Sequence, residues 1–136
     1  MPTKSPTTEN GRTIAGMYEA FGRGDVEQVV AQIAPEVEWI ESDAKGMPAR
    51  GRFSTPQEVL EGVFASVPQN FERFKLLPEH WIETDDDVVV TGRVEARTRA
   101  GTDLNAPFAH VFTLRHGKVT RNDNFHDTAL WVEALR

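Results

Sequence analysis

Glu41, His110 and Asp123 have the types and settings for proton transfer. His110 lies in the alternating run Phe108-Ala-His-Val-Phe112. By the period-two rule Phe108, His110, Phe112 and Leu114 share one strand face, so an imidazole sits among large apolar side chains. His116-Gly117, flanked by Arg115 and Lys118, reads as a two-residue hairpin turn. In the direct register His110 faces Asp123, whose carboxylate would orient the ring and fix its tautomer. A β-bulge in the second arm would instead bring Asn122, Asn124 and His126 onto that face, and the sequence leaves both registers open. Val37, Trp39 and Glu41 share the face of an earlier strand, where desolvation beside Trp39 would strengthen Glu41 as a base. A base placed over an acidic C–H and an N–H aimed at a developing oxygen are the parts of an enolisation. Isomerisation, intramolecular aldol cyclisation and dehydration all begin from that step. Each residue also has a plainer reading: His110 as a core histidine satisfied by a neighbour, Glu41 as a strand-end carboxylate in solvent. His80, His116 and His126 lack ligand spacing, so neither a metal nor a cofactor is expected.

The elements that must hold these groups can be read from periodicity. The 136 residues suffice for one domain with a core, and residues 1–8, rich in Pro, Thr and Ser, read as a disordered tail before a single domain over 9–136. Ile14, Met17, Tyr18 and Phe21 form the stripe of a first helix. Asp25 with Gln28 caps a second, whose stripe runs Val26, Val29, Val30, Ile33 until Pro35. After the strand ending at Glu41 and a Gly/Pro-rich loop to Phe53, Thr55-Pro-Gln-Glu58 starts a third helix, with Val59, Leu60, Val63, Phe64 and Val67 buried before Pro68. Phe71–Thr84 and Val88–Arg99 flank an acidic turn at Asp85–Asp87, the His116-Gly117 hairpin follows, and Thr128–Arg136 closes as a short helix. This is an α+β pattern: a curved antiparallel sheet forming a cone-shaped half-barrel covered by three N-terminal helices. Trp39, Phe53, Phe64, Phe112 and Phe125 are candidates for the wall of its cavity, with ordinary core as the plain alternative. Arg93, Glu95, Arg97 and Arg99 alternate with apolar residues, as on a solvated face, with Arg93 the one candidate for a pocket role.

Composition excludes several classes. Fifteen basic against 21 acidic residues give a net charge of −6, no footprint for nucleic acid or anionic lipid. There is no cysteine, so thiol chemistry and disulfides are impossible. No run reaches the roughly 18 apolar residues of a membrane span, and the first ten residues lack the apolar centre of a signal peptide, so a cytoplasmic location is expected. Val88, Val90, Val94 and Ala96 would supply an apolar patch on the outer sheet face for a homodimer.

The order of helix, Gly-Asp, helix, V-E-W-x-E strand, G-x-P-x-x-G loop, helix, and strands ending in F-x-H-V-F-x-L-x-x-G-K-V and N-F-x-D resembles the SnoaL-like branch of the ketosteroid isomerase and nuclear transport factor superfamily, over about Thr8 to Arg136. The resemblance implies a hydrophobic small-molecule ligand, Glu41 in the place of the isomerases' general base and His110 in that of their oxyanion-holding acid. It departs at helix one, where Met17 occupies the isomerases' tyrosine position and Tyr18 stands beside it. It departs again at Asn124, where the polyketide cyclases carry an acid/base aspartate, so Asp123 or Asp127 would have to substitute. The scaffold also hosts proteins without chemistry, which leaves a non-catalytic ligand- or partner-binding domain as the alternative.

Overall fold

The computed structural model describes residues 2–136. Each helix begins where a side chain accepts from one of its free N–H groups. Thr8 accepts from Gly11 at the start of α1 (Glu9–Gly22), Asp25 from Gln28 at α2 (Val26–Val30), and Thr55 from Glu58 at α3 (Pro56–Val59). The third helix is longer than α3: a π-helical turn over Leu60–Phe64 leads into α4 (Ser66–Asn70). Pro68 is therefore inside α4 instead of ending the run. The widened turn contains Gly62, where a Cβ would meet the Phe53 ring at 2.3 Å. Phe53 packs there, between helix and sheet. Asp127 caps the last helix, α5 (Thr128–Ala134).

The strands are β1 (Ile33–Glu41), β2 (Gly51–Phe53), β3 (Phe71–Glu83), β4 (Asp87–Thr98), β5 (Asp103–Arg115) and β6 (Lys118–His126). They form one curved, unclosed sheet in the order β2-β1-β6-β5-β4-β3. Neighbours are antiparallel apart from β1 and β6, which run parallel. Ile33, expected to close the stripe of the second helix, is the first residue of β1, and Pro35 lies within that strand. Thr3 exchanges backbone hydrogen bonds with Trp81 on β3, so this stretch runs along the sheet edge.

The concave face carries the core. Val88, Val90 and Val94 are fully buried there and Ala96 nearly so. This corrects the expected dimer patch: the four residues point inward, because the β3–β4 pairing sets the even-numbered positions of β4 toward the helices. Gly92 lies in the same row and admits β3 closely; a Cβ at that position would stand 2.1 Å from the Leu77 carbonyl oxygen.

The hairpin register decides the site. His116 and Gly117 both have positive φ, 53° and 76°, as a type I′ turn requires. Arg115 pairs with Lys118 and Leu114 with Val119, after which the ladder slips at Thr120 so that Thr113 faces Arg121. Phe112 then faces Asn122, His110 faces Asn124 and Phe108 faces His126. The direct register would force Arg121 and Asp123 into the concave face, and desolvating two charges costs far more than one bulged residue. Both are instead on the convex side, where Arg121 pairs with Glu38 and Asp123.

Candidate functional site

Between the sheet and the helices lies a cavity of about 110 Å³. α1 contributes Met17, Tyr18 and Phe21; the loop after β1 contributes Met47, Pro48 and Ala49; the π turn contributes Phe64. The polar part of the wall includes Glu41, His110, Asn122, Asn124 and His126, with Ser66 from α4 and the Trp131 indole from α5. Cavities of this kind, apolar with a few convergent polar groups, are where small ligands are held.

His110 is 6% exposed, and its ring stacks on Phe108 at a centroid distance of 4.2 Å. Its Nδ1 lies 2.6 Å from the Tyr18 hydroxyl. Burial, with a smaller contribution from nearby His126, pushes the imidazole's proton affinity well below the ordinary histidine range. Burial likewise pushes the Tyr18 phenol well above its usual range. The pair is therefore a neutral phenol and a neutral imidazole. Nδ1 is the only acceptor within reach of the Tyr18 O–H among the described residues, so the phenol donates and the ring proton sits on Nε2. His110 is thereby set as a hydrogen-bond donor.

Glu41, 8% exposed, ends β1. Its Oε2 accepts from Trp39 Nε1 at 2.8 Å and from Asn124 Nδ2 at 2.6 Å. Its Oε1 lies 3.7 Å from His126 Nε2. Asn124 faces His110 in the β5–β6 ladder and donates to Glu41, so it stands between the two. Four buried polar atoms of this wall have no partner among the described residues: Asn122 Oδ1, Asn124 Oδ1, His126 Nδ1 and Trp131 Nε1. A bound molecule with hydroxyl or carbonyl groups would satisfy them. No three acidic or imidazole side chains among the described residues converge as metal ligands would.

Of the residues singled out from the sequence, the structure brings Met17, Tyr18, Trp39, Glu41, Phe64, His110, Phe112 and Asn124 to one cavity. Four lie elsewhere. Asp123 does not oppose His110, because the bulge turns it outward toward Arg121. Phe125 follows it to the convex face and is 55% exposed. Arg93 is on the same outer face, where its Nε donates to Asn105 Oδ1 at 2.7 Å. Phe53 is held against Gly62. His126 and Asn122, which the bulged register offered for the inward face, are in the wall, and Trp131 of α5 joins them without having been singled out from the sequence. The signal for His126 was electrostatic: of the two possible registers, only the bulged one avoids burying Arg121 and Asp123, and that register turns His126 inward.

These features define a small α+β domain whose open sheet and N-terminal helices flank an apolar cavity with a carboxylate and a phenol–imidazole pair in its wall. Residues 14–122 match the SnoaL-like domain, and the chain belongs to that family. Among curated proteins, no sequence matches. Solved structures similar to it include an NTF2-like protein of unknown function from Burkholderia pseudomallei K96243, at 27% identity and TM-score 0.87, covering 95% of this chain and 98% of that one. TerC co-crystallised with polyporic acid is 31% identical with TM-score 0.86, covering 94% and 98%. An NTF2-like protein from Burkholderia thailandensis E264 is 26% identical with TM-score 0.86, covering 96% and 99%. No helix among the described residues is long and apolar enough to cross a membrane.

Proposed function

We propose that this domain binds a hydrophobic carbonyl compound in its cavity and enolises it by acid/base chemistry without a cofactor. Glu41 takes the α-proton and His110 Nε2–H donates to the developing enolate oxygen. The observation that carries the reading is the Tyr18–His110 bond in the same wall as Glu41. It gives the imidazole the donor tautomer that oxyanion stabilisation needs, while Glu41 presents one carboxylate oxygen not already used by Trp39 and Asn124. The similarity to TerC, solved with polyporic acid, supports a small organic ligand for this cavity. Enolisation would then lead to isomerisation, cyclisation or dehydration.

The test is the conversion of a probe ketone, 3-cyclohexenone, to its conjugated isomer, followed by ultraviolet absorbance. Glu41→Gln should lower the rate by roughly 10²–10⁴-fold and His110→Phe by roughly 10²–10³-fold. A Glu41→Gln variant as active as the parent refutes the assignment of the base. A second reading, binding without turnover, is favoured by Asn124, an amide in the position where the cyclases that the chain resembles carry an acid. It predicts that the probe binds in the cavity with no conversion above buffer. A homodimer belongs to the same proposal, now through the convex face, where exposed Phe125 lies opposite Ala109.

A further inference from the structure

The two oxygens of Glu41 differ. Oε2 is occupied by the donors Trp39 and Asn124. Among the described residues, the only basic or imidazole group within 4 Å of Oε1 is His126. The 3.7 Å separation exceeds a hydrogen bond, as catalytic contacts often do before a ligand closes the site. His110 cannot carry a proton away from Glu41, because its Nδ1 is committed to Tyr18 and its surroundings hold it neutral. His126 is otherwise placed. It is the last residue of β6, its ring packs on Trp131 at 4.8 Å and lies 5.9 Å from the His110 ring, and its Nδ1 has no partner among the described residues. It also borders a second depression, on the convex face, together with Glu79, Arg93 and Asp127. His126 thus separates the buried carboxylate from the outer surface.

We propose that His126 is the group through which a proton taken up by Glu41 exchanges with water, an assignment that rests on the reading of Glu41 as the base. In the step, the α-C–H bond breaks, its electron pair enters the enolate and the proton bonds to Oε1. It passes to Nε2 of a neutral ring whose other proton is on Nδ1, leaving a carboxylate beside an imidazolium. Nδ1 is buried in the resting structure, so the imidazolium loses its proton there when water reaches it from the depression that His126 borders at the end of β6. A solvent proton returns by the reverse path and Glu41 delivers it to the γ-carbon, so one substrate proton is replaced by one from water with no change of oxidation state. The base would otherwise return the same proton to its substrate.

The experiment runs the 3-cyclohexenone conversion in D₂O and reads deuterium at C4 of the product by mass spectrometry, after correction for non-enzymatic exchange. The parent should give mostly deuterated product. His126→Gln and His126→Ala should isomerise more slowly than the parent but faster than Glu41→Gln, with deuterium content at least threefold lower than the parent's. Imidazole added to His126→Ala should restore the deuterium. A histidine that only packs would change the rate and leave the isotope content alone. Parent product that keeps the substrate proton overturns the proposal, as does deuterium content unchanged in both variants. A parent inert toward the probe and indistinguishable from Glu41→Gln would sink the base assignment, and this one with it. Loss of deuterium in the His126 variants alongside activity abolished by Glu41→Gln supports both.

Discussion

Acidification should loosen the fold through His110, and the size of the effect can be worked from its surroundings. The ring is buried between Phe108 and Tyr18, and its proton affinity in the folded chain is far below the value of about 6.5 expected when unfolded. Between those two values the unfolded chain binds the extra proton and the folded chain does not, so stability rises with pH in that window. The contribution is complete above about pH 6.5 and is lost as pH falls toward the depressed folded value. With one proton at stake the slope is at most about 1.4 kcal/mol per pH unit, so the descent from 6.5 to 5.0 costs up to about 2 kcal/mol. With an unfolding entropy of about 2 cal/mol/K per residue, that lowers Tm by about 7 °C.

The perturbation that isolates this effect is His110→Phe. A phenyl ring keeps the stacking on Phe108 and does not titrate. It leaves the Tyr18 hydroxyl unpartnered, at roughly 1–3 kcal/mol, but that loss is the same at pH 8 and pH 5. Thermal unfolding followed by circular dichroism at pH 8, 6.5 and 5 should show Tm of the parent falling more steeply than that of the variant below pH 6.5. Groups remote from His110 contribute equally in both proteins and cancel in the difference, while the repulsion between His110 and nearby His126 is part of the effect that the variant removes. Parallel Tm profiles would refute the reasoning: the folded state would then accept the proton on His110 as readily as the unfolded chain does.

Three further outcomes are expected. Gly92→Ala would set a methyl group 2.1 Å from the Leu77 carbonyl and 2.9 Å from the Phe108 ring, and backbone cannot step aside as a flexible side chain does; denaturant unfolding should show a loss of roughly 2–3 kcal/mol. Glu83 accepts from the backbone N–H groups and hydroxyls of Thr7 and Thr8; partial burial pushes its carboxyl up, but these hydrogen bonds outweigh it and hold the group below the usual glutamate value. Its contribution is therefore present above the ordinary glutamate range and lost as pH falls through the depressed value, and Glu83→Gln should speed amide exchange at the start of α1 by about fivefold at neutral pH. Phe125→Asp puts a charge on the exposed convex face; sedimentation should show a dimeric parent and a monomeric variant, and a parent that sediments as a monomer removes that interface.

What could be read in advance from the sequence followed locality. The stripe of α1 and the caps at Asp25 and Thr55 involve residues three or four apart, and each formed where its spacing placed it. The turn at His116-Gly117 was equally local. The pairing beyond it was not, because Thr120 could take up one residue of slack at little cost, and that slack decided between Asp123 and Asn124 for the concave face. Tyr18 shows the same limit. Its place on the helix stripe was evident, but that its hydroxyl would meet an imidazole 92 residues away depends on how α1 lies across the sheet, which no periodicity records. Ile33 was assigned to the wrong element for a related reason: an apolar residue after Val29 and Val30 extends a helical stripe or opens a strand equally well, and only its ladder contact with Val119 decides. The candidate chemistry therefore rests on one bulged residue. Were Thr120 paired with Thr113 in place of being bulged out, the ladder would take the direct register: His110 would meet Asp123, Arg121 would be driven inward, and Asn124 and His126 would turn from Glu41 to solvent.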